Sequence, residues 1–189
     1  FRNIIENAVE GIFQFVPGGG LITANSALVF ILGWESVAQF QTDCPDFVGE
    51  LFVDRQRGQE FHHGIKENSF VHAFEAQLRR RDGGRIWVSI NARAVRDESG
   101  TLLLCEGSLM DVTDRKRSDD MLVQSLGRLN SLFFETVRAL AKTVEIRDPY
   151  TAGHQENVAD LACSMALRLG LSEDGVVAVR LAGILHDIG

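Results

Sequence analysis

Residues 74–95, FEAQLRRRDGGRIWVSINARAV, hold two alternating runs around a Gly-containing turn. Phe74, Ala76 and Leu78 alternate with Glu75, Gln77 and Arg79. Ile86, Val88, Ile90, Ala92 and Ala94 alternate with Trp87, Ser89, Asn91 and Arg93. A period of two puts each set on its own face of a strand. Asp82-Gly83-Gly84 supplies the backbone freedom a hairpin turn needs. Downstream, Asp97-Glu98-Ser99-Gly100 turns the chain into a further strand, TLLLCEGSLMDV (101–112). Upstream, GIFQF (11–15) and LITAN (21–25) read as short strands around the turn PGGG. Asn25 or Ser26 can cap a helix through SALVFILGW. The expected product is α+β: a five-stranded antiparallel sheet with small helices between its second and third strands. One apolar face packs on those helices. Trp87 falls on the opposite register, where a flanking helix, a second subunit or solvent is its expected neighbour.

The chain has 189 residues, 45% hydrophobic and 24% charged, within the range of globular proteins. Its net charge of −7 argues against nucleic acid polymers or an anionic membrane surface as the main partner, because phosphate binding needs a positive footprint. A small phosphorylated substrate stays open, since a bound metal supplies positive charge. Cys44, Cys105 and Cys163 are odd in number and far apart, so no disulfide framework is expected and a reducing compartment, the cytoplasm, is. No apolar run approaches the ~20 residues a membrane-spanning helix needs, and no signal peptide opens the chain. It begins at Phe1 without an initiator Met and stops at Gly189 straight after an adjacent His and Asp. A fragment is therefore expected.

The stretches EGIFQF, GLITANSALVFILGW and RRRDGGRIWVSINARAVRDESGTLLLCEGSLMDVTDRKR together resemble a PAS domain over residues 1–117. The resemblance implies a sensory or dimerisation module with a cavity between sheet and helices. It also implies that DVTDRKR leads into a signalling helix. His62 and His63, in QEFHHGIKE, read as ordinary helix histidines rather than haem ligands. The alignment with haem-binding PAS domains puts their histidine near Arg57 or Gly58. Cys44 and Cys105 lack the surroundings of the flavin-linked cysteine. The PAS ligand is left unassigned.

Residues 118–147 read as that helix. Leu122, Leu126, Leu129, Phe133, Val137, Leu140 and Val144 recur at steps of four and three, with one slip near Phe133. A ~34-residue helix would run about 50 Å. The stripe either packs on its own domain or forms a parallel homodimeric coiled coil, and the DVTDRKR lead-in favours the dimer. Gly127 softens the helix locally.

Residues 148–189 carry two more helices. Asp148-Pro149 stops and restarts the chain. From His154, Val158, Leu161, Ala162, Met165, Ala166 and Leu169 form an apolar face. Gly170 ends that helix, Ser172 caps the next, and Glu173 and Asp174 suit its first turn. If the two helices pair antiparallel, His154 meets His186-Asp187. Imidazole and carboxylate are good donors for a divalent metal.

RDPYTAGHQENVADLACSMALRLGL followed by LAGILHDIG closely resembles the opening of an HD-GYP domain, a branch of the HD metal-dependent phosphohydrolases. The resemblance implies His154, His186 and Asp187 as metal ligands, with Asp187 bridging two divalent ions, often Fe or Mn. Asp148, Tyr150 and Thr151 fall near that site. Tyr150 stands where three-metal members have Glu, which points to two metals. Tyr150 and Thr151 read equally as turn and cap residues. The Lys near the substrate phosphate, the later histidines, the last Asp ligand and the Gly-Tyr-Pro loop would lie beyond Gly189. No catalytic residue is therefore assigned within the chain, and these 189 residues alone are expected to be inactive. The activity implied for the intact protein is hydrolysis of a cyclic dinucleotide, cyclic di-GMP first. Another phosphoester, or a regulatory protein with a degenerate HD segment, are the alternatives.

Overall fold

The alternating stretch folds as the hairpin its pattern demands. In this computed structural model, β3 (Phe70–Arg79) and β4 (Arg85–Arg96) pair antiparallel, Leu78 opposite Ile86 and Ala76 opposite Val88. The turn needs glycine at one point: Gly83 sits at φ 82°, a left-handed conformation. β3 also carries a bulge between Val71 and Phe74. There Ala73 turns to φ 47°, and its N–H donates to the Asn91 side chain at 2.8 Å. The structure describes residues 5–145 and 153–186, the side chains of residues 141, 144 and 145 excepted.

β1 (Gly11–Phe15), β2 (Leu21–Ala24) and β5 (Leu102–Asp111) complete a five-stranded antiparallel sheet in the order β2-β1-β5-β4-β3. Between β2 and β3 run α1 (Ser26–Leu32), α2 (Val37–Asp43), α3 (Phe47–Leu51) and α4 (Arg55–Asn68). The fold class is the α+β arrangement expected.

Asn25, rather than Ser26, is the cap of α1. Its Oδ1 accepts from Leu28 N at 3.1 Å and from Ile12 N at 2.9 Å. Its Nδ2 donates to the carbonyls of Ile5 and Glu10, both at 2.9 Å. A buried amide is tolerable only when so fully paired, and here the pairing joins the helix cap to β1. The core between sheet and helices is filled by phenyl rings. Phe15 stacks on Phe47 at 5.0 Å between ring centroids, and Phe61 lies 5.5 Å from Phe52 and 5.6 Å from Phe74. Ala76, Leu78, Ile86, Val88, Ile90 and Ala92 form the sheet's side of this layer, all buried as their alternation requires.

α5 (Thr113–Glu145) follows β5. The chain divides into two compact units, Phe1–Asp119 and Asp120–Gly189. In the second unit, α6 (His154–Arg168) and α7 (Glu173–Leu185) form a helical hairpin. Gly170 at φ 74° lets the turn reverse, and Ser172 caps α7 by accepting from Gly175 N at 3.3 Å.

Here the structure corrects the sequence reading. The buried face of α6 is Gln155, Ala159, Cys163 and Ala166. Leu161, Met165 and Leu169, expected on that face, are exposed. The reason is close approach: α7 presents Gly183 to Ala159, and small residues let two backbones come together where leucines would hold them apart. The stripe of α5 is divided in a similar way. Val137 is buried against Ala159, Leu181 and Ile184. Leu122, Leu126, Leu129 and Phe133 are more than half exposed.

Candidate metal centre

His154 is the first residue of α6, and His186 follows the last residue of α7. Four contacts establish that these helices run antiparallel. His154 meets His186, Ala159 meets Gly183, Asp160 pairs with Arg180 at 3.2 Å, and Cys163 Sγ donates to the Val176 carbonyl at 3.7 Å. As one partner's number rises the other's falls. The open end of the hairpin therefore brings the two imidazoles together, their ring centroids 5.5 Å apart and inclined by 61°.

His186 Nδ1 lies 2.8 Å from the Gly183 carbonyl oxygen. A carbonyl only accepts, so this bond puts a proton on Nδ1. That is the arrangement of a ligating histidine whose second nitrogen is anchored. The donor chemistry of this end of the hairpin thus fits a divalent cation. Asp187, Asp148, Tyr150 and Thr151 lie outside the described residues. Among the described residues, no group of three or more His, Cys, Asp or Glu side chains is placed so as to hold a metal ion.

The sheet unit presents other candidates. His62 and His63 are exposed on α4. His62 borders a surface cavity of about 540 Å³ together with Asp46, Glu50, Arg55 and Gln59. A larger concavity of about 810 Å³ involves Gln14, Asn91, Arg93, Glu106 and Ser108, at strand positions that alternate with the core residues. Arg93 lies 2.5 Å from Glu106, and Gln14 Nε2 donates to Glu106 at 3.0 Å. These bonds, Arg93 first, hold the Glu106 carboxyl below its usual range. Burial pushes the Cys44 thiol up to about 12 and Cys105 up to about 11. Neither is a nucleophile near neutral pH, since the thiolate is the reactive form.

Trp87 is half-buried against its own chain. Lys116 Nζ stands 5.1 Å from its ring centroid, in cation–π range. The Trp87 N–H donates to Thr113 Oγ1 at 2.9 Å, and Val112 N–H donates to the Trp87 carbonyl at 2.9 Å. Glu75 accepts from Lys116 at 2.5 Å and also pairs with Arg115. Lys116 and then Arg115 hold its carboxyl below the ordinary value of 4.5. Strands β3 and β4 are thereby fastened to the first turns of α5. The alternation placed Glu75 only on the polar face; its partners lie across the sheet-to-helix junction, which no local pattern reveals.

Residues 9–114 match the family model of the PAS domain. A solved sensory box histidine kinase/response regulator from Burkholderia thailandensis superposes with a TM-score of 0.53 at 24% identity, over 69% of this chain and 98% of that one. The likeness is one of fold. Among curated proteins, the cyclic di-GMP phosphodiesterase response regulator RpfG of Xanthomonas campestris is 32% identical over 101 residues, 53% of this chain and 27% of its own length. The 3'3'-cGAMP-specific phosphodiesterase 3 of Vibrio cholerae is 43% identical over 53 residues, 28% of this chain and 12% of its own length. The chain thus spans less than a third of either curated relative.

Proposed function

This chain belongs to the PAS domain family, and on that premise we propose that it is the sensing and coupling part of a metal-dependent phosphodiesterase that hydrolyses cyclic di-GMP. The observation that carries the proposal is the convergence of His154 and His186 at one end of an antiparallel helix pair. The names of the two curated relatives, both phosphodiesterases of cyclic dinucleotides, support the substrate class.

In this reading His154, His186 and Asp187 hold divalent cations, Fe or Mn. Such ions supply charge neutralisation at a phosphodiester and a water activated for attack. The chain's own residues prepare the place. The Gly183 carbonyl fixes the His186 ring and its tautomer. The Ala159–Gly183 contact sets how far apart the two histidine-bearing helix ends stand. At the other end, Glu75 ties the sheet to α5 through Arg115 and Lys116, so a change in the PAS unit has a polar connection through which to act on that helix.

The exposed run Leu122, Leu126, Leu129 and Phe133 is the homodimer seam of the proposal. Among the described residues no helix is long and apolar enough to cross a membrane. The 189 residues alone carry part of a donor set and are proposed to be inactive.

The test is product analysis of the intact protein with Mn²⁺ or Fe²⁺, offered cyclic di-GMP and 3'3'-cGAMP in parallel. Linear dinucleotide from cyclic di-GMP, abolished in His154→Ala and His186→Ala, is the expected result. Preference for 3'3'-cGAMP would move the substrate to the second relative's class. No turnover of either would leave a regulatory protein in which the helix pair serves only packing.

A further inference from the structure

Phenyl rings occupy the layer between sheet and helices, Phe13, Phe15, Phe47 and Phe61 all buried there. The other face of the sheet is polar, and its concavity of about 810 Å³ has the size of a small-molecule site. Strand register fixes what lies along it. Gln14 on β1, Glu106 on β5 and Arg93 on β4 stand opposite one another, and Phe70 on β3 continues the row beyond Arg93. The neighbouring row is Ile12, Ser108 and Asn91. All seven residues line the concavity.

The Glu106 carboxylate is held from both sides. Arg93 Nε donates to its Oε1 at 2.8 Å, and Gln14 Nε2 donates to its Oε2 at 3.0 Å. Hydrogen-bonding capacity is left over in the same rows. Arg93 Nη1, the Ser108 hydroxyl and Asn91 Nδ2 have no acceptor among the described residues, and Gln14 Oε1 has no donor there. Asn91 Oδ1 also accepts from the Ala73 N–H, which holds the β3 bulge with Ala73 at φ 47°. A left-handed alanine is strained, and such strain persists where neighbouring contacts over-determine it, a feature that clusters at ligand sites.

Charge decides the class of ligand. The lining carries both signs, Glu6 and Glu106 against Arg93. A ligand of one sign meets a like charge there, whereas a zwitterion offers each end its opposite. Neighbouring strands stand about 4.8 Å apart, so an ammonium and a carboxylate separated by one carbon each reach their own partner. Ile12 and the 63%-exposed Phe70 close the two rows with apolar surface for a side chain.

We propose that this face of the sheet binds a free α-amino acid with an apolar side chain, its carboxylate held by Arg93, Ser108 and Asn91 and its ammonium by Glu106 and Gln14. The site stands on the PAS unit alone and is independent of the metal-dependent reading.

The experiment measures binding of L-phenylalanine and L-leucine to the intact protein by calorimetry. Two analogues run beside them: 2-phenylethylamine, which lacks the carboxylate, and 3-phenylpropionate, which lacks the ammonium. The expected result is saturable binding of at least one amino acid, with both analogues about tenfold weaker or worse. Arg93→Gln and Glu106→Gln should each weaken the amino acid by about the same factor, with a cooperative melting transition showing both variants folded. Undiminished binding in the folded variants places the ligand elsewhere and overturns the inference. So does the absence of binding by either amino acid. Should a variant fail to fold, the parent decides: either analogue binding as tightly as the amino acid overturns the inference.

Discussion

Gly183 lies so close to Ala159 that a Cβ built on it would stand 2.6 Å from the Ala159 Cα and 2.9 Å from its Cβ. No rotamer relieves a clash with backbone, so the two helices must separate to admit any side chain. Gly183→Ala should cost about 1–3 kcal/mol by overpacking, measured as a drop in the melting temperature of the second unit. The same separation moves His154 from His186, so bound Mn²⁺ should weaken too. An unchanged melting temperature would mean the helices are not held this tightly.

Glu75 makes its bonds with Lys116 and Arg115 as a carboxylate. Its folded value lies below the ordinary 4.5, so its contribution is complete above that pH and is lost as pH falls through the lowered folded value. Glu75→Gln should lower stability by about 0.5–1 kcal/mol at neutral pH and low salt, the size of an exposed ion pair. The deficit relative to the parent should shrink toward acid pH and in high salt, as read from denaturant midpoints. A deficit independent of both would assign Glu75 a packing role only.

Phe61 is fully buried, its ring within 6.3 Å of Phe15, Phe52 and Phe74. Phe61→Ala should cost about 3–5 kcal/mol, since the rings around it cannot collapse into the space. Phe30, 79% exposed on α1, is the control. Phe30→Ala should stay within about 0.5 kcal/mol of the parent. Equal losses at the two positions in chemical denaturation would contradict the core described.

Leu129 is 69% exposed on α5, whereas Val137 is 8% exposed against α6 and α7. Leu129→Glu should therefore leave the stability of the second unit unchanged and dissociate the proposed homodimer, read by sedimentation. Val137→Glu should destabilise that unit at any protein concentration, because it buries a charge beside Ala159 and Ile184. A parent that sediments as a monomer would remove the seam from the proposal.

Much of the first unit was legible in the chain. Alternation from Phe74 to Ala94 is a local code: each residue's face follows from its neighbour's, and the Gly83 turn fixes the hairpin between. Helix ends at Ser172 and Gly170 were readable for the same reason, since a cap is a contact between near neighbours, and the cap of α1 was narrowed to Asn25 or Ser26. The placement of His154 at the start of one helix and His186 at the end of the next was likewise visible.

What the chain could not announce was which of two possible stripes each helix would bury. On α6, Leu161, Met165 and Leu169 were the more hydrophobic choice, yet Ala159 and Cys163 face α7, because Gly183 permits an approach that large side chains forbid. On α5, one continuous pattern covers Leu129 and Val137, and only the presence of α6 and α7 separates them. Sequence by itself determined the strands, the hairpin turn and the boundary between the last two helices, all set by bonds and sterics within a few positions. The tertiary structure decided the helix faces and the partners of Glu75, because each depends on a backbone distance between segments remote in the chain.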